Sequence, residues 1–341
     1  MSHQYVERDS RVVYSEEFYG DKAVRFLYSR IRENAPLMFR ALTGARMSRL
    51  LSFLSFNAFV DEKLTRQGML SYMRVVDPDE WVEPPDRLDT LRKIFERKIR
   101  YWECRPMPTD PAAVVSPCDA RMLVCSFDTA SHLFIKDKFF DFEELLGRNK
   151  KTWLKAFEGG DYAIFRLTPE KYHYNHAPVA GRIVDFYQIP GMYNACHPDA
   201  VVTMIHPYSK NKRIVTIINT DVPGGTMAGM VAMVEVVALM IGDIVQCYSE
   251  EEYINPVHVG TGLFMRKGCP KSLFRPGSST VVLIFQKNRI SFAEDIVGNM
   301  QFPGLESIFT RGFGQPLVET EIMVRSAIGT VCQDSDVKEL S

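Results

Sequence analysis

The 341-residue sequence has no surplus of either charge: 41 Lys and Arg face 42 Asp and Glu, a net charge of −1. A dedicated nucleic-acid binder carries a basic excess, so no nucleic-acid partner is expected. The seven Cys include no Cys-x-x-Cys pair. An odd, irregularly spaced set makes no disulfide framework. It reads as a reducing compartment, with thiols used as small apolar groups. Residues 1–10 are polar, so no secretory signal is expected. There is no internal repeat and no low-complexity tract. What is present is ordinary globular usage, 46% apolar and 24% charged. That excludes a disordered, collagen-like or coiled-coil chain, and the length suits about two domains.

A long uncharged span is also lacking. Residues 228–248 come nearest, but Glu235 and Asp243 interrupt them. An acidic side chain costs about 2.5–3.5 kcal/mol near a bilayer centre. The stretch is therefore expected to be buried and broken at Gly242, as two strands or as a strand and a short helix.

The texture changes along the chain. Residues 21–32 and 36–60 repeat apolar side chains at helical spacing, with a break near Thr43-Gly44. Residues 87–100 predict an amphipathic helix with Leu88, Leu91, Ile94, Phe95 and Ile99 on one face. Asp86 stands at its N-cap position after Pro84-Pro85. Beyond Pro106-Met107-Pro108, short apolar runs alternate with turn residues. Residues 163–167, 182–187, 201–205, 213–218 and 280–285 predict strands, and 319–331 one more. The expected fold class is α+β: a helical N-terminal region over 1–105, then a largely antiparallel β-rich catalytic domain over 106–341. Residues 35–60 hold Arg40, Arg46 and Arg49 with no acid among many apolar residues. Such a helix can pack on the β domain or rest on a membrane surface.

Three constellations can carry chemistry. Gly277-Ser278-Ser279 precedes the strand-like Thr280 to Phe285. A Gly before Ser leaves the peptide carbonyl unshielded and the backbone free to turn sharply, though taken alone the segment reads first as a plain turn leading into a strand. Arg166 to Pro178 holds His173 and His176, side chains suited to proton transfer near neutral pH. Half a metal site is the competing reading, but no convincing further ligands lie nearby in the sequence, so no metal is expected. Asp119, in Pro117-Cys118-Asp119, is either a turn former or a carboxylate that orients a histidine.

Taken in order, these segments resemble the phosphatidylserine decarboxylase family, over roughly residues 110–290. The carriers are Pro117-x-Asp119, Arg166-Leu167-x-Pro169-x-x-Tyr172-His173-x-x-His176, and Gly277-Ser278-Ser279 before a Val-rich strand. Ile135-Lys136, Phe142 to Gly147 and Lys267-Gly268 support them. There are departures. Ala120 stands where the family has Gly, Val237 replaces the glycine of a Val-Gly-Ala segment, Pro276 precedes Gly277, and a second serine follows Ser278.

The resemblance implies a self-processing enzyme with a covalent pyruvoyl group derived from Ser278. Loss of CO2 from an α-amino acid leaves a carbanion, and no side chain supplies the electron sink that it needs. His176 would take the Ser278 hydroxyl proton, with Asp119 holding the ring. Ser278 would then cleave the Gly277-Ser278 junction, leaving self-derived β and α chains. Ser279 is the alternative cleavage serine. His173 is the candidate acid that protonates the product. The leading substrate is phosphatidylserine, a phospholipid, with the protein cytoplasmic and peripheral to the membrane; a homodimer is left open. The alternatives are a soluble decarboxylase of a free, for instance aromatic, amino acid, and a non-catalytic lipid-binding protein on the same fold. A zinc hydrolase using His173 and His176 is a distant fourth.

Overall fold

A computed structural model describes residues 3–16, 34, 35, 37, 38, 44, 78–88, 90–127, 139–195, 197–203, 207–238, 243–276 and 279–332. The helical expectations over 21–32 and 36–60 fall almost wholly outside the described residues, as does Ile135-Lys136. The fold is α+β. Its strands in chain order are β1 (Gln4–Glu7), β2 (Val13–Ser15), β3 (Ala113–Val115), β4 (Ala120–Ser126), β5 (Asp161–Leu167), β6 (Tyr174–His176), β7 (Gly181–Ile189) and β8 (Arg213–Asn219). They continue with β9 (Met230–Val237), β10 (Ile244–Gln246), β11 (Phe264–Met265), β12 (Pro270–Phe274), β13 (Ser279–Phe285), β14 (Ile290–Phe292), β15 (Glu319–Ile322) and β16 (Ala327–Val331).

Ten strands form one sheet in the order β11-β7-β8-β9-β13-β5-β4-β15-β1-β2. Every neighbouring pair is antiparallel except β1 with β15, which run parallel with Tyr5 opposite Glu319. Two three-stranded sheets, β10-β12-β6 and β14-β16-β3, complete the framework. Strand β13 lies mid-sheet between β9 and β5, and all seven of its residues are buried. Each large apolar side chain there contributes about 1.5–3 kcal/mol by leaving water. An uninterrupted Val, Leu, Ile and Phe run suits a strand covered on both faces.

The 228–248 stretch is two strands, β9 and β10, as one of its readings predicted. Other expectations are corrected. Residues 201–203 are helical, within the helix Pro198–Thr203. The 319–331 run is two strands rather than one: Arg325 adopts φ +71°, and the chain turns between β15 and β16. The helix expected over 87–100 is only α1 (Leu91–Phe95), followed by α2 (Tyr101–Cys104). Its cap is Thr90, whose side chain accepts from the Lys93 N–H. Asp86 lies instead in a 3-10 turn, Pro85–Arg87. The break comes where Arg97 turns inward and donates to the carbonyls of Ile94 and Glu170.

The remaining helices among the described residues are α3 (Phe142–Leu146), α4 (Lys151–Ala156), α5 (Pro198–Thr203), α6 (Pro207–Lys210), α7 (Glu294–Met300) and α8 (Ile308–Phe313). Helix α5 packs on α8 at Gly312, where an added Cβ would lie 2.5 Å from Val202 Cγ1. No helix among the described residues is long and apolar enough to cross a membrane.

Candidate active site

Main-chain hydrogen bonds bring the histidine and Asp segments together and tie the histidine segment to the end of β12. The His176 N–H donates to the Pro117 carbonyl at 2.7 Å, joining β6 to the turn that bears Asp119. The Phe274 N–H, at the end of β12, donates to the His173 carbonyl at 3.0 Å. Ser279, the first residue of β13, lies opposite Leu167 on one side and Val237 on the other. The residues flanking the expected cleavage junction are thus tied to the histidine segment. Gly277 and Ser278 themselves lie outside the described residues.

Asp119 is buried beside β4. Its Oδ1 accepts from Arg105 Nε at 3.2 Å and from the Val324 N–H at 2.7 Å; its Oδ2 accepts from Arg105 Nη2 at 3.0 Å. The Val324 donor is presented by the turn between β15 and β16. Burial alone would raise the Asp119 pKa. The Arg105 charge and these hydrogen bonds reverse that and hold the carboxyl below its ordinary value. Arg105 in turn reaches Glu80 at 3.0 Å.

His176 is fully buried. Its Nδ1 lies 2.8 Å from the Gly268 carbonyl and its Nε2 2.9 Å from the Tyr172 hydroxyl. The expected direct hydrogen bond between Asp119 and His176 is not made among the described residues. Burial pushes the His176 pKa down to about 3; the Gly268 hydrogen bond and the Asp119 charge work against it, and the Arg325 and Arg105 charges add to it. His173 is also fully buried, stacked on Phe95 with ring centroids 3.5 Å apart. Burial, then the Arg97 cation, push its pKa well below the ordinary value. Both rings are therefore neutral at pH 7, the form in which a histidine can accept a proton.

Beside this site runs a buried chain of alternating charges. Arg166 pairs with Glu16 and Glu319, Arg121 with Glu16, and Lys171 with Glu321. His3 Nε2 lies 2.8 Å from Glu319 Oε2, and Arg121 sits 3.8 Å above the Tyr5 ring. His3, Glu16 and Glu319 hold three ligand-type atoms within 4.8 Å of one another. The arginines already neutralise both carboxylates, which makes this an ion-pair core rather than a metal cradle. A second cluster centres on Glu235 of β9, two residues before the Val237 that faces Ser279. Its Oε2 lies 2.6 Å from Lys271 Nζ, and Ser272 and Asn175 donate to its other oxygen.

The surroundings suit a small carbonyl group built from the chain at residue 278. The hydroxyls of Ser279 and Thr280 are buried with no hydrogen-bond partner among the described residues; successive strand residues face opposite sides of the sheet, so one of the two is open to such a group.

Sequence reasoning alone did not single out Arg105, Tyr253 or Lys271, used Glu235 only as an acid that argues against a membrane span, and gave Tyr172 no role beyond its motif. Arg105 falls at the seam between the two expected regions. Tyr253 follows Glu250-Glu251-Glu252, which reads as a solvated loop.

Comparison with known proteins adds to this geometry. The family model for phosphatidylserine decarboxylase matches residues 91–304. A phosphatidylserine decarboxylase proenzyme of Fusobacterium nucleatum is 28% identical over 306 residues, covering 87% of this chain and 92% of that protein. One from Ruminiclostridium cellulolyticum is 29% identical over 283 residues, covering 82% and 83%. One from Chlamydia trachomatis is 34% identical over 221 residues, covering 64% and 67%.

Proposed function

This chain belongs to the phosphatidylserine decarboxylase family and is a decarboxylase, and we propose that it acts on phosphatidylserine after cutting itself between Gly277 and Ser278. The observation that carries the reading is the tie between Phe274, four residues before Ser278, and the carbonyl of His173 in the histidine segment. The names of the relatives agree with a precursor that is processed.

In maturation, neutral His176 accepts the Ser278 hydroxyl proton while the Asp119 charge favours the imidazolium. Ser278 Oγ attacks the Gly277 carbonyl carbon, and the peptide bond gives way to an ester with a free amine on residue 278. Loss of the residue-278 α-proton breaks the ester and releases Gly277 as a carboxylate. Water then replaces the nitrogen, which departs as ammonia and leaves a pyruvoyl group at the head of β13. The products are a β chain ending at Gly277 and an α chain beginning at residue 278. The antiparallel ladders from β13 to β5 and β9 suit the two chains staying together.

The pyruvoyl carbonyl supplies the electron sink for loss of CO2. Of the two buried hydroxyls at the start of β13 that lack a partner among the described residues, the one on the face that residue 278 shares, that of Ser279 or that of Thr280, would hold it. Buried, neutral His173 can serve in proton transfer to the product carbon once it is itself protonated. The 35–60 stretch, with its arginines and apolar residues, suits contact with a lipid surface.

Denaturing mass spectrometry tests the first half. Two chains that become one intact chain of about 39 kDa in Ser278→Ala are expected; a single intact mass for the unaltered protein overturns self-cleavage. Release of CO2 from phosphatidylserine vesicles tests the second half. Turnover of a free amino acid with none on vesicles would instead favour the soluble enzyme.

A further inference from the structure

His176 sits at the end of a chain of hydroxyl groups. The Gly268 carbonyl can only accept, so Nδ1 carries a hydrogen. Nε2 faces the Tyr172 hydroxyl at 2.9 Å. The Tyr172 oxygen lies 2.7 Å from that of Tyr253, which is 2.8 Å from the Ile99 carbonyl and 3.2 Å from the Ile99 N–H. Each tyrosine has one hydroxyl hydrogen, so the donors and acceptors can be counted.

Two arrangements satisfy the chain. With a neutral ring, Tyr253 donates to Tyr172, Tyr172 donates to Nε2, and the Ile99 N–H donates to Tyr253. With a protonated ring the direction reverses. Nε2–H donates to Tyr172, Tyr172 to Tyr253, and Tyr253 to the Ile99 carbonyl. One proton is gained at Nε2 and none leaves either tyrosine; only the hydroxyl hydrogens turn. Burial raises the pKa of both tyrosines, so both remain protonated.

The setting makes the chain matter. Tyr101 meets the His176 ring edge-on at 4.7 Å. Tyr174 stacks on Tyr172 at 5.5 Å and meets Tyr253 at 5.0 Å. Tyr101, Tyr172 and Tyr174 are buried, while Tyr253 is partly exposed. Buried among these rings, with Arg325 over Tyr101 at 4.9 Å, a new N–H needs a protein acceptor. Among the described residues, the Tyr172 oxygen is the group that meets Nε2.

We propose that Tyr172 and Tyr253 form a reversible hydroxyl chain that sets the tautomer of His176 and receives its second N–H when the ring takes a proton. Both are positioning residues acting through His176. The inference rests on reading His176 as the base of maturation.

The test uses the full-length Ser278→Ala protein with 15N-labelled histidine, read by NMR at pH 7. The His176 signals are identified by their loss in His176→Gln. A neutral ring with hydrogen on Nδ1 and an accepting Nε2 is expected. Tyr172→Phe should move the Nε2 signal by several parts per million toward that of a free lone pair, and Tyr253→Phe should move it less in the same direction. Hydrogen on Nε2 in the parent, or an unmoved signal in both variants, overturns the chain. This readout needs no cleavage, so it stands apart from the proposed self-processing. In the protein that retains Ser278, Tyr172→Phe should slow cutting by about tenfold or more, and Tyr253→Phe by less. Unchanged rates in both variants also overturn the proposal. An uncut parent would sink the self-cleavage reading and leave the NMR result to decide the chain.

Discussion

Arg105 closes on Asp119 with paired hydrogen bonds, Nε to Oδ1 at 3.2 Å and Nη2 to Oδ2 at 3.0 Å. Both side chains are buried. The guanidinium thus keeps an ionised carboxylate beside the neutral His176. Glu80 fixes the far side of the fork, and the Val324 N–H fills the remaining oxygen direction. Bidentate geometry makes Arg the residue for this position, since a lysine ammonium cannot match both oxygens at once.

Arg105→Ala should therefore cost about 3–5 kcal/mol, because it strands a buried carboxylate. With burial no longer opposed, the Asp119 pKa should rise, and the protein should accumulate uncut. Arg105→Lys should recover part of the stability and less of the cutting. Urea unfolding at pH 7, with denaturing gels of the same samples, measures both. A loss under about 1 kcal/mol in Arg105→Ala would mean that water or another cation replaces the guanidinium.

The sheet was legible where local chemistry decides the outcome. Ile164, Val215, Val282 and their neighbours are β-branched or bulky runs bounded by turn residues, and they form strands. The histidine and Asp segments, which the His176 N–H joins at the Pro117 carbonyl, were legible because each carries its own residue pattern. Long-range pairing was not. Tyr5 lies in a four-residue strand whose partner, Glu319, is over 300 residues away, so no local pattern reports it. Val201 and Val202 favour a strand, yet Pro198 opens a helix there and α8 offers a face at Gly312. Tertiary packing overrides β propensity at such places. The arginine over Asp119 was also hidden, because a charged side chain in a sequence reads first as surface.

Acid should weaken the fold before its carboxylates titrate. Burial holds the folded pKa of His176 down to about 3 and that of His173 also well below its ordinary value. Between these limits the unfolded chain binds more protons than the folded one. The contribution of each neutral histidine is full above about pH 6.5 and is lost as pH falls toward the folded pKa. Each should add a slope of about 1.4 kcal/mol per pH unit below pH 6. Urea midpoints from pH 7.5 to 5 measure it, and His176→Asn should remove roughly half of the combined slope. A flat profile over that range would mean that both rings accept protons inside the folded protein. Asp119, Glu16 and Glu319 add their own loss at lower pH, since ion pairing lowers the folded pKa of each.

The Lys271–Glu235 pair offers a final check on how β13 is held. Both side chains are fully buried and meet at 2.6 Å, with Gln246 Oε1 accepting from the same ammonium at 2.8 Å. Glu235 lies opposite Val281 on the ladder that also seats Ser279 against Val237. Removing one charge leaves the other uncompensated, so Lys271→Met should cost about 3–5 kcal/mol. Glu235→Gln alone should also be costly, because it leaves a buried ammonium. Lys271→Met with Glu235→Gln should restore most of the loss, since the neutral amide keeps an acceptor for Ser272 and Asn175. A double-mutant cycle by urea unfolding measures the coupling, expected at about 2 kcal/mol or more. Additive losses would instead mean that the two charges are held independently, and that Gln246 and Ser272 anchor this end of β13.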